Sequence, residues 1–291
     1  MKIDLHTHSR ASDGSLTPAE LVRLAKSLNI SMLSLTDHDT IDGVAEAVTA
    51  GEREGLDVIP GIELSVNHEI GSLHLLGYGI DINCLPFLQT VNHLKNSRTT
   101  RNVRILARLE ELGYPVSAEA VAGLAGPGTV GRGHIAMAMV EAGYFSSAEN
   151  AFKALLNRGA PAYIDRYRLS LGEAVDLIHQ AGGAAVWAHP GLHGADLPVM
   201  LRLLPGWVER GLDGLESDYS QHPTAFRDEM RRVAAENGLI FTGGSDFHGA
   251  LKPNIRLGQG PEGRDIALEC LEGLKKRLQT LENNRFSHIV I

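Results

Sequence analysis

Cysteine is scarce in this chain of 291 residues, which contains only Cys84 and Cys270. Two cysteines cannot build a disulfide framework or a cysteine-rich zinc motif. We therefore expect a protein of a reducing compartment, with the cytoplasm as its location. Any metal site must use imidazole and carboxylate ligands, because no thiolate cluster is available.

Basic residues are also in the minority, since 27 Lys and Arg stand against 35 Asp and Glu for a formal net charge of −8. Broad electrostatic binding of nucleic acid is disfavoured, and such a substrate would need a local basic patch. The sequence also lacks an apolar run that could cross a bilayer and the amino-terminal pattern of a secretory signal. We expect no membrane association, and nothing in the sequence indicates a protein partner.

Strand and helix patterns alternate along most of the chain. Thr17 and Ser170 each precede a glutamate by three positions, a capping box that predicts a helix start. The alternation predicts an α/β fold with a mostly parallel sheet, either one barrel or two modest domains. Between residues 85 and 162 only helical patterns occur, so we predict a helical insertion there and a barrel formed by residues 1–84 and 163–291.

Histidine and acidic residues stand at or just beyond the ends of the predicted strands. His6 and His8 lie two positions apart, so in an extended segment they face one side. Asp246 and His248 repeat the spacing. Functional residues of β/α barrels gather at the carboxyl ends of strands, where distant motifs meet. Nine residues are candidate metal ligands: His6, His8, Asp13, His38, Glu63, His74, His189, Asp246 and His248.

Nine mixed ligands are too many for one metal and are enough for three. Imidazole with carboxylate suits Mn, Zn or Fe, and neighbouring divalent cations serve attack on phosphorus. Each residue also has a structural alternative. His38 alone would more often be structural, Asp13 could be a turn residue because Asp-Gly favours turns, and Glu63 could be a surface carboxylate. The coincidence of all nine favours a site for two to three metals.

Other residues are candidate substrate contacts. Arg132 opens a predicted helix in the insertion, and Arg158 follows later in the same insertion. Both suit bidentate phosphate binding, although two solvated arginines are the alternative. Further candidates, each with a structural alternative, are the substrate contacts Ser12, His134 and Glu216 and the possible general acid His193.

As a set, these motifs resemble the PHP (polymerase and histidinol phosphatase) family. The resemblance rests on Asp4-Leu5-His6-Thr7-His8, Ser12-Asp13-Gly14, Thr36-Asp37-His38-Asp39, Pro60-Gly61-Ile62-Glu63, Ala188-His189-Pro190 and Gly244-Ser245-Asp246-Phe247-His248. It implies a distorted (β/α)7 barrel with a two- or three-metal phosphoesterase site, often manganese. It also implies ligand groups: His6, His8, Glu63 and Asp246 for one metal, Glu63, His74 and His189 for another, and Asp13, His38 and His248 for a third.

The insertion, the Gly131-Arg132-Gly133-His134 segment and His74-Leu75-Leu76-Gly77-Tyr78 look like the TrpH type of this family, which includes ribonuclease AM and 3′,5′-nucleoside bisphosphate phosphatases. That resemblance implies release of the 3′-phosphate from a nucleoside 3′,5′-bisphosphate, and 5′-to-3′ trimming of short 5′-phosphorylated RNA. The expected nucleophile is a metal-bridging hydroxide, with Arg132 and Arg158 holding the 5′-phosphate. Gly133 departs from the type, which often has Pro at that position.

Three rival functions remain at this stage. Histidinol-phosphate phosphatase needs the same metals, but the insertion and its arginines argue against an amino-alcohol pocket. A catalytically silent PHP binding module would have degraded ligands, whereas none of the nine is missing. A hydrolase of C–N bonds, of the wider amidohydrolase type, would release ammonia rather than phosphate.

Overall fold

Strands and helices alternate at both ends of the chain and leave a helical segment between them. The computed structural model describes residues 1–68, 71–126, 130–192 and 197–287. The strands are β1 (Lys2–Thr7), β2 (Ile30–Leu35), β3 (Asp57–His68), β4 (Gly71–Tyr78), β5 (Leu169–Ser170), β6 (Ala184–Trp187), β7 (Gly214–Tyr219) and β8 (Ile240–Gly244). The α-helices are α1 (Pro18–Ser27), α2 (Val44–Glu54), α3 (Leu85–Glu111), α4 (Ala118–Ala125), α5 (Arg132–Glu141), α6 (Ala148–Ala151), α7 (Leu171–Gln180), α8 (Leu197–Glu209), α9 (Thr224–Glu236) and α10 (Leu268–Ser287).

Seven strands form a nearly closed barrel in the order β1-β2-β3-β4-β6-β7-β8, while short β5 pairs with β3 outside this path. The two ends of the order meet just beyond β8. There the Asp246 amide donates to the His6 carbonyl at 2.9 Å, and the His8 amide donates to the Phe247 carbonyl at 3.0 Å. Gly244 permits this close approach of β8 to β1, because a Cβ atom added at Gly244 would lie 2.2 Å from the Cβ atom of His6. The predicted distorted seven-stranded barrel is confirmed.

One strand reverses the expected direction. β4 runs antiparallel to both β3 and β6, and Ser65 pairs with His74 in the β3–β4 hairpin. The other barrel pairs are parallel. Because β4 is reversed, its amino-terminal end lies at the same barrel end as the carboxyl termini of its parallel neighbours. His74 therefore reaches the site from the start of a strand, not from its end.

Local signals explain where several helices begin. Both predicted capping boxes form, with Thr17 and Ser170 accepting from the amides of Glu20 and Glu173. α3 begins at Leu85 and has a proline in its first turn, a position that proline favours. The sequence analysis did not predict α10.

The described residues form separate apolar clusters in the barrel and in the helical segment. Ile105, Leu109, Ile135 and Met139 belong to one cluster within α3–α5, which also includes residues of the π-helical turn Phe152–Leu156 after α6. Leu271 and Leu274 of α10 share a different cluster with strand residues such as Ile3 and Val186. Among the described helices, none has the length and apolar character needed to span a membrane.

A buried carboxylate joins four elements at the other end of the barrel. Asp213, just before β7, accepts hydrogen bonds from the Ala185 amide at 2.6 Å and from His179 Nε2 at 2.8 Å through one oxygen. Its second oxygen accepts from Arg277 Nε at 2.7 Å. This single side chain therefore ties α7, β6 and α10 to the start of β7.

We predict that Asp213→Ala lowers the free energy of unfolding by about 3 kcal/mol, since it leaves a buried amide and a partly buried guanidinium unpaired. Urea denaturation followed by circular dichroism measures the change. Asp228→Ala is the matched control, because that side chain is 59% exposed and, among the described residues, pairs only with its neighbour Arg227. Its effect should stay within about 0.5 kcal/mol. Equal losses in the two variants would contradict the role assigned to Asp213.

Candidate active site

The carboxylate of Glu63 is fully buried in β3 and lies among five imidazoles. The distances are 2.8 Å from Oε1 to His74 Nδ1, 2.9 Å from Oε1 to His189 Nε2, and 3.0, 3.2 and 3.3 Å from Oε2 to His38 Nδ1, His8 Nε2 and His6 Nε2. Ligands about 2.1 Å from a common metal lie about 3 Å apart. The Glu63 oxygens and these imidazole nitrogens are therefore spaced as donor atoms that could hold divalent cations would be.

Two further carboxylates extend the cluster. Asp246 Oδ1 lies 3.2 Å from His8 Nε2 and 3.3 Å from His248 Nδ1. The other ring nitrogen of His248, Nε2, lies 3.3 Å from Asp13 Oδ1. Asp246 and His248 follow β8, whereas Asp13 lies in the loop between β1 and α1. Segments that are distant in the sequence therefore converge at one end of the barrel.

The nine candidate ligands fall into overlapping groups whose donor atoms lie within 4.8 Å of one another. These groups are His8, Asp13, His38 and His248; His6, Glu63 and His189; His6, His8 and Asp246; and His38, Glu63 and His74. Within the described part of the chain, the groups contain all nine predicted residues and no others. These groups differ in detail from those that the family resemblance implies. In the structure His6, His8 and His38 each belong to two groups, whereas the resemblance assigns each of them to one.

The hydrogen bonds around the cluster leave lone pairs that suit a cation. His6 Nδ1 donates to Glu216 Oε1 at 2.8 Å, so in a neutral ring Nε2 carries a lone pair. That lone pair faces oxygens of Glu63 and Asp246 at 3.3 and 3.6 Å, which is repulsive without a positive charge between them. Glu63 Oε2 is buried and has no hydrogen bond within the described residues. The donor set therefore fits divalent metals with nitrogen and oxygen ligands.

The pKa values express the same demand for positive charge. Burial alone would lower the pKa of His38, but the carboxylates of Glu63 and Asp13 raise it to about 9. The same holds for His6. Burial would lower its pKa, but Glu216 and Glu63 raise the pKa well above the ordinary value. In contrast, burial and the neighbouring His248 lower the pKa of His8 to about 4. Without metals, protons would supply part of the charge that the carboxylates require.

Three residues in or beside the cluster hold backbone conformations that L-amino acids rarely adopt. The φ angles are +31° at His189, +53° at Asp39 and +58° at Asp246. Such conformations cost of order 1 kcal/mol each and persist where surrounding contacts enforce them. Asp39 illustrates the contacts, since it accepts from the amide and hydroxyl of Ser65 and pairs with Arg98 and Arg166.

Two predicted substrate contacts lie behind the ligands, buried and away from the cavity surface. Ser12 donates to Asp37 Oδ1 at 2.6 Å, in a network with the Ser9 amide and hydroxyl. Glu216 accepts from His6 Nδ1 through one oxygen and from the His189 amide, at 2.7 Å, through the other. As substrate contacts both stay predictions: in the structure Ser12 fixes a loop, and Glu216 hydrogen-bonds two candidate ligands.

Above the ligands lies a cavity of about 360 Å³ whose walls are strongly basic. Asp13, His38, His74 and His248 border it on the barrel side. Its cationic lining comprises Arg98, Arg101, Arg132, Arg166, Arg168 and Lys252. The cavity therefore joins the ligand cluster to a concentration of positive charge, half of it from the helical segment and half from Arg166, Arg168 and Lys252.

Arg132 and His134 line this cavity in fixed orientations. The guanidinium of Arg132 lies over the rings of Phe152 and Tyr163, at 5.8 and 5.4 Å, and donates to the Leu156 carbonyl at 2.9 Å. His134 Nδ1 accepts from the Gly131 amide at 3.1 Å, which leaves the proton of the neutral ring on Nε2. α5 begins at Arg132, so Gly133 does not delay the helix start.

The structure does not bring Arg158 to the cavity. It is exposed in the turn after Phe152–Leu156 and is absent from the lining. The residues that sequence reasoning missed are Arg98 and Arg101, which the three-residue spacing of arginines along α3 could have revealed, and Arg166 and Arg168. His193 lies outside the described residues, so its role as general acid stays a prediction.

A model of the PHP domain matches residues 4–167. The chain belongs to the PHP domain family. This confirms the resemblance drawn from the motifs.

Similar proteins cover nearly the whole chain. The 5′-3′ exoribonuclease Rnm of Escherichia coli K12 is 36% identical over 88% of this chain and 88% of its own length. The 3′,5′-nucleoside bisphosphate phosphatase of Chromobacterium violaceum is 34% identical over 91% of this chain and 90% of its own. A solved Bifidobacterium adolescentis protein, described as a candidate metal-dependent phosphoesterase, superposes with a TM-score of 0.83 at 30% identity and covers 94% of this chain and 96% of its own.

We predict that Glu216→Gln weakens manganese binding about 10- to 100-fold, the range for residues that orient a metal ligand. A glutamine amide can donate to His6 Nδ1, which would move the ring proton to Nε2 and remove the lone pair that faces Glu63 and Asp246. Isothermal titration of the chelator-treated protein with Mn²⁺ measures the affinity. Glu209→Gln, at an exposed position on α8, is the control. Unchanged affinity in Glu216→Gln would refute the tautomer argument.

Proposed function

We propose that this PHP-family protein hydrolyses the 3′-phosphate of nucleoside 3′,5′-bisphosphates to give nucleoside 5′-monophosphates. We further propose that it trims short 5′-phosphorylated RNA from the 5′ end. The observation that carries the proposal is the basic cavity above the nine-ligand cluster. One substrate phosphate would lie at the cluster, and a second anionic group would lie among the arginines. Both proposed substrates carry two phosphate groups, one for the cluster and one for the arginines.

The charge balance of the cavity supports a dianionic ligand. Asp39 pairs with Arg98 and Arg166, but Arg101 has no carboxylate partner within the described residues. Burial, together with the neighbouring guanidiniums, lowers the pKa of Arg101 to about 8. A phosphate placed among these side chains would relieve their repulsion and accept charge-assisted hydrogen bonds.

The nine ligands would hold two to three divalent cations, for which we propose manganese. When bound, such cations activate water and neutralise charge on phosphate oxygens. Glu63 would bridge, because its two oxygens face different imidazoles. Glu216 and the backbone around His189 would keep the rings oriented, so that the ligand geometry need not reorganise during turnover.

The insertion supplies the substrate-binding side chains. We propose that residues 85–162 cap the barrel, with Arg132 holding the 5′-phosphate. His134 would donate from Nε2 to a phosphate oxygen. Stacking on Phe152 and Tyr163 preorganises Arg132, so little side-chain entropy is lost on binding. Five guanidiniums disfavour the protonated amine of histidinol phosphate, which argues against that rival.

The deciding experiment measures phosphate release from adenosine 3′,5′-bisphosphate by the manganese-loaded protein, with AMP followed as the product. Histidinol phosphate and a 5′-phosphorylated pentaribonucleotide are assayed in parallel. We expect conversion of the bisphosphate to AMP and shortening of the RNA from its 5′ end. Activity on histidinol phosphate alone, or release of ammonia from amide substrates, would overturn the proposal. We expect the enzyme to act on nucleotide ends in the cytoplasm.

We predict that Arg132→Ala lowers kcat/KM for adenosine 3′,5′-bisphosphate by roughly 100-fold, because a charge-assisted contact to the 5′-phosphate is lost. Hydrolysis of an aryl phosphate, which has no second phosphate, should change much less. Arg158→Ala is the matched control, since this arginine is exposed outside the cavity. Equal losses on the bisphosphate and the aryl phosphate would contradict a 5′-phosphate contact, as would a large loss in Arg158→Ala.

A further inference from the structure

A second cleft, of about 310 Å³, lies along α3 beside the active cavity. Its lining includes Ser97, Thr100, Arg101 and Arg104 of α3, and Arg166 and Tyr167 from the segment that returns to the barrel. The four α3 residues have helical spacings of three and four, so they share one face of the helix. This side of α3 therefore presents a continuous polar and basic stripe.

The cleft is continuous with the active cavity, because Arg101 and Arg166 line both. Both side chains are largely buried, yet Arg101 Nε and Arg166 Nη1 have no hydrogen-bond partner within the described residues. Buried donors of this kind normally have acceptors. An anion between the two spaces would supply them.

Arg104 and Tyr167 give the cleft its outer character. Arg104 is exposed and makes no ion pair within the described part of the chain. Tyr167 is 44% exposed, and its position is fixed because its amide donates to Ser97 Oγ at 2.9 Å and its ring contacts His93. The acidic member of the lining, Asp165, is ion-paired with Arg168. The free charge is thus positive and lies beside an exposed aromatic ring.

We infer that this cleft binds the RNA chain beyond the nucleotide that occupies the active cavity, with a phosphodiester on Arg104 and Arg101 and a base stacked on Tyr167. Cationic side chains beside an aromatic ring are the combination by which proteins bind single strands without strong sequence preference. The inference rests on the proposed function. It adds that substrate length is sensed on the outer face of α3, where a mononucleotide does not reach.

The test compares binding of two probes to the manganese-loaded full-length protein. One is an analogue of adenosine 3′,5′-bisphosphate in which a methylene group replaces the 3′ ester oxygen so that it resists hydrolysis, and the other is a 5′-phosphorylated pentaribonucleotide with phosphorothioate linkages that resist hydrolysis. Competition fluorescence anisotropy gives both dissociation constants. The variants are Arg104→Ala and Tyr167→Ala, with Tyr167→Phe as the conservative change. Arg23→Ala, an exposed arginine on α1, is the matched control.

We expect Arg104→Ala and Tyr167→Ala each to weaken pentanucleotide binding about fivefold or more, the lower end for loss of one stacked base. Binding of the bisphosphate should shift less than about twofold, and Tyr167→Phe should retain most of the affinity. Arg104→Ala should also reduce the salt dependence of pentanucleotide binding by about 0.7 in log–log slope, the value for one single-strand phosphate contact.

Equal effects on both probes, or effects no larger than in Arg23→Ala, would overturn the inference. So would a wild-type protein that binds the pentanucleotide no more tightly than the bisphosphate. These results are separable from failure of the proposed function, since binding is measured without turnover. A protein that hydrolyses neither substrate but still loses pentanucleotide binding in the two variants would retain the cleft and lose the enzymatic proposal.

Discussion

The site depends on burying one carboxylate, that of Glu63, among imidazoles. A buried charge costs several kcal/mol unless opposite charge and good geometry compensate it. The barrel meets this requirement by bringing ligands from neighbouring strands to a single point. The reversed strand β4 is part of the solution, because it places His74 2.8 Å from Glu63 Oε1. A parallel strand at that position would present its other end. The hairpin between β3 and β4 is therefore a functional feature as well as a topological one.

Rigidity around the ligands comes from carboxylates that never touch a ligand atom. Asp4 accepts from the amide and hydroxyl of Ser245 and from the Gly258 amide, and so holds the loop before Asp246. Burial raises the pKa of Asp4 to about 6, which shows how far this group has been removed from water. Networks of this kind offset the cost of the left-handed backbone at Asp246. The strained backbone at the site thus lowers the stability of the fold, and the hydrogen bonds around it offset that loss.

The sequence predicted the barrel and the residues of the His/Asp/Glu cluster, because candidate ligands at strand ends form local motifs. It could not predict which side chains face the cavity. Glu216 lies where the β7–β8 register shifts, so simple alternation along the strand does not give its direction. Arg132 and Arg158 look equivalent in sequence, but only the first has aromatic rings to lie over. The arginines of α3 were not predicted, because an arginine on a long helix is ordinarily a surface residue and only the three-residue spacing of Arg98, Arg101 and Arg104 sets them apart.

The distribution of charge shows how a chain of acidic net charge can present basic side chains to an anion. The net charge of −8 repels polyanions at long range, whereas the basic side chains that line a small cavity and its adjoining cleft act only at short range. These side chains therefore attract only a phosphate that lies within about one Debye length of them, which is one that has already entered the cavity. Such an arrangement favours small, doubly charged ends over the interior of a long chain. Under the proposed function, local basic charge and global acidic charge would act together, because neither alone distinguishes an end from a backbone.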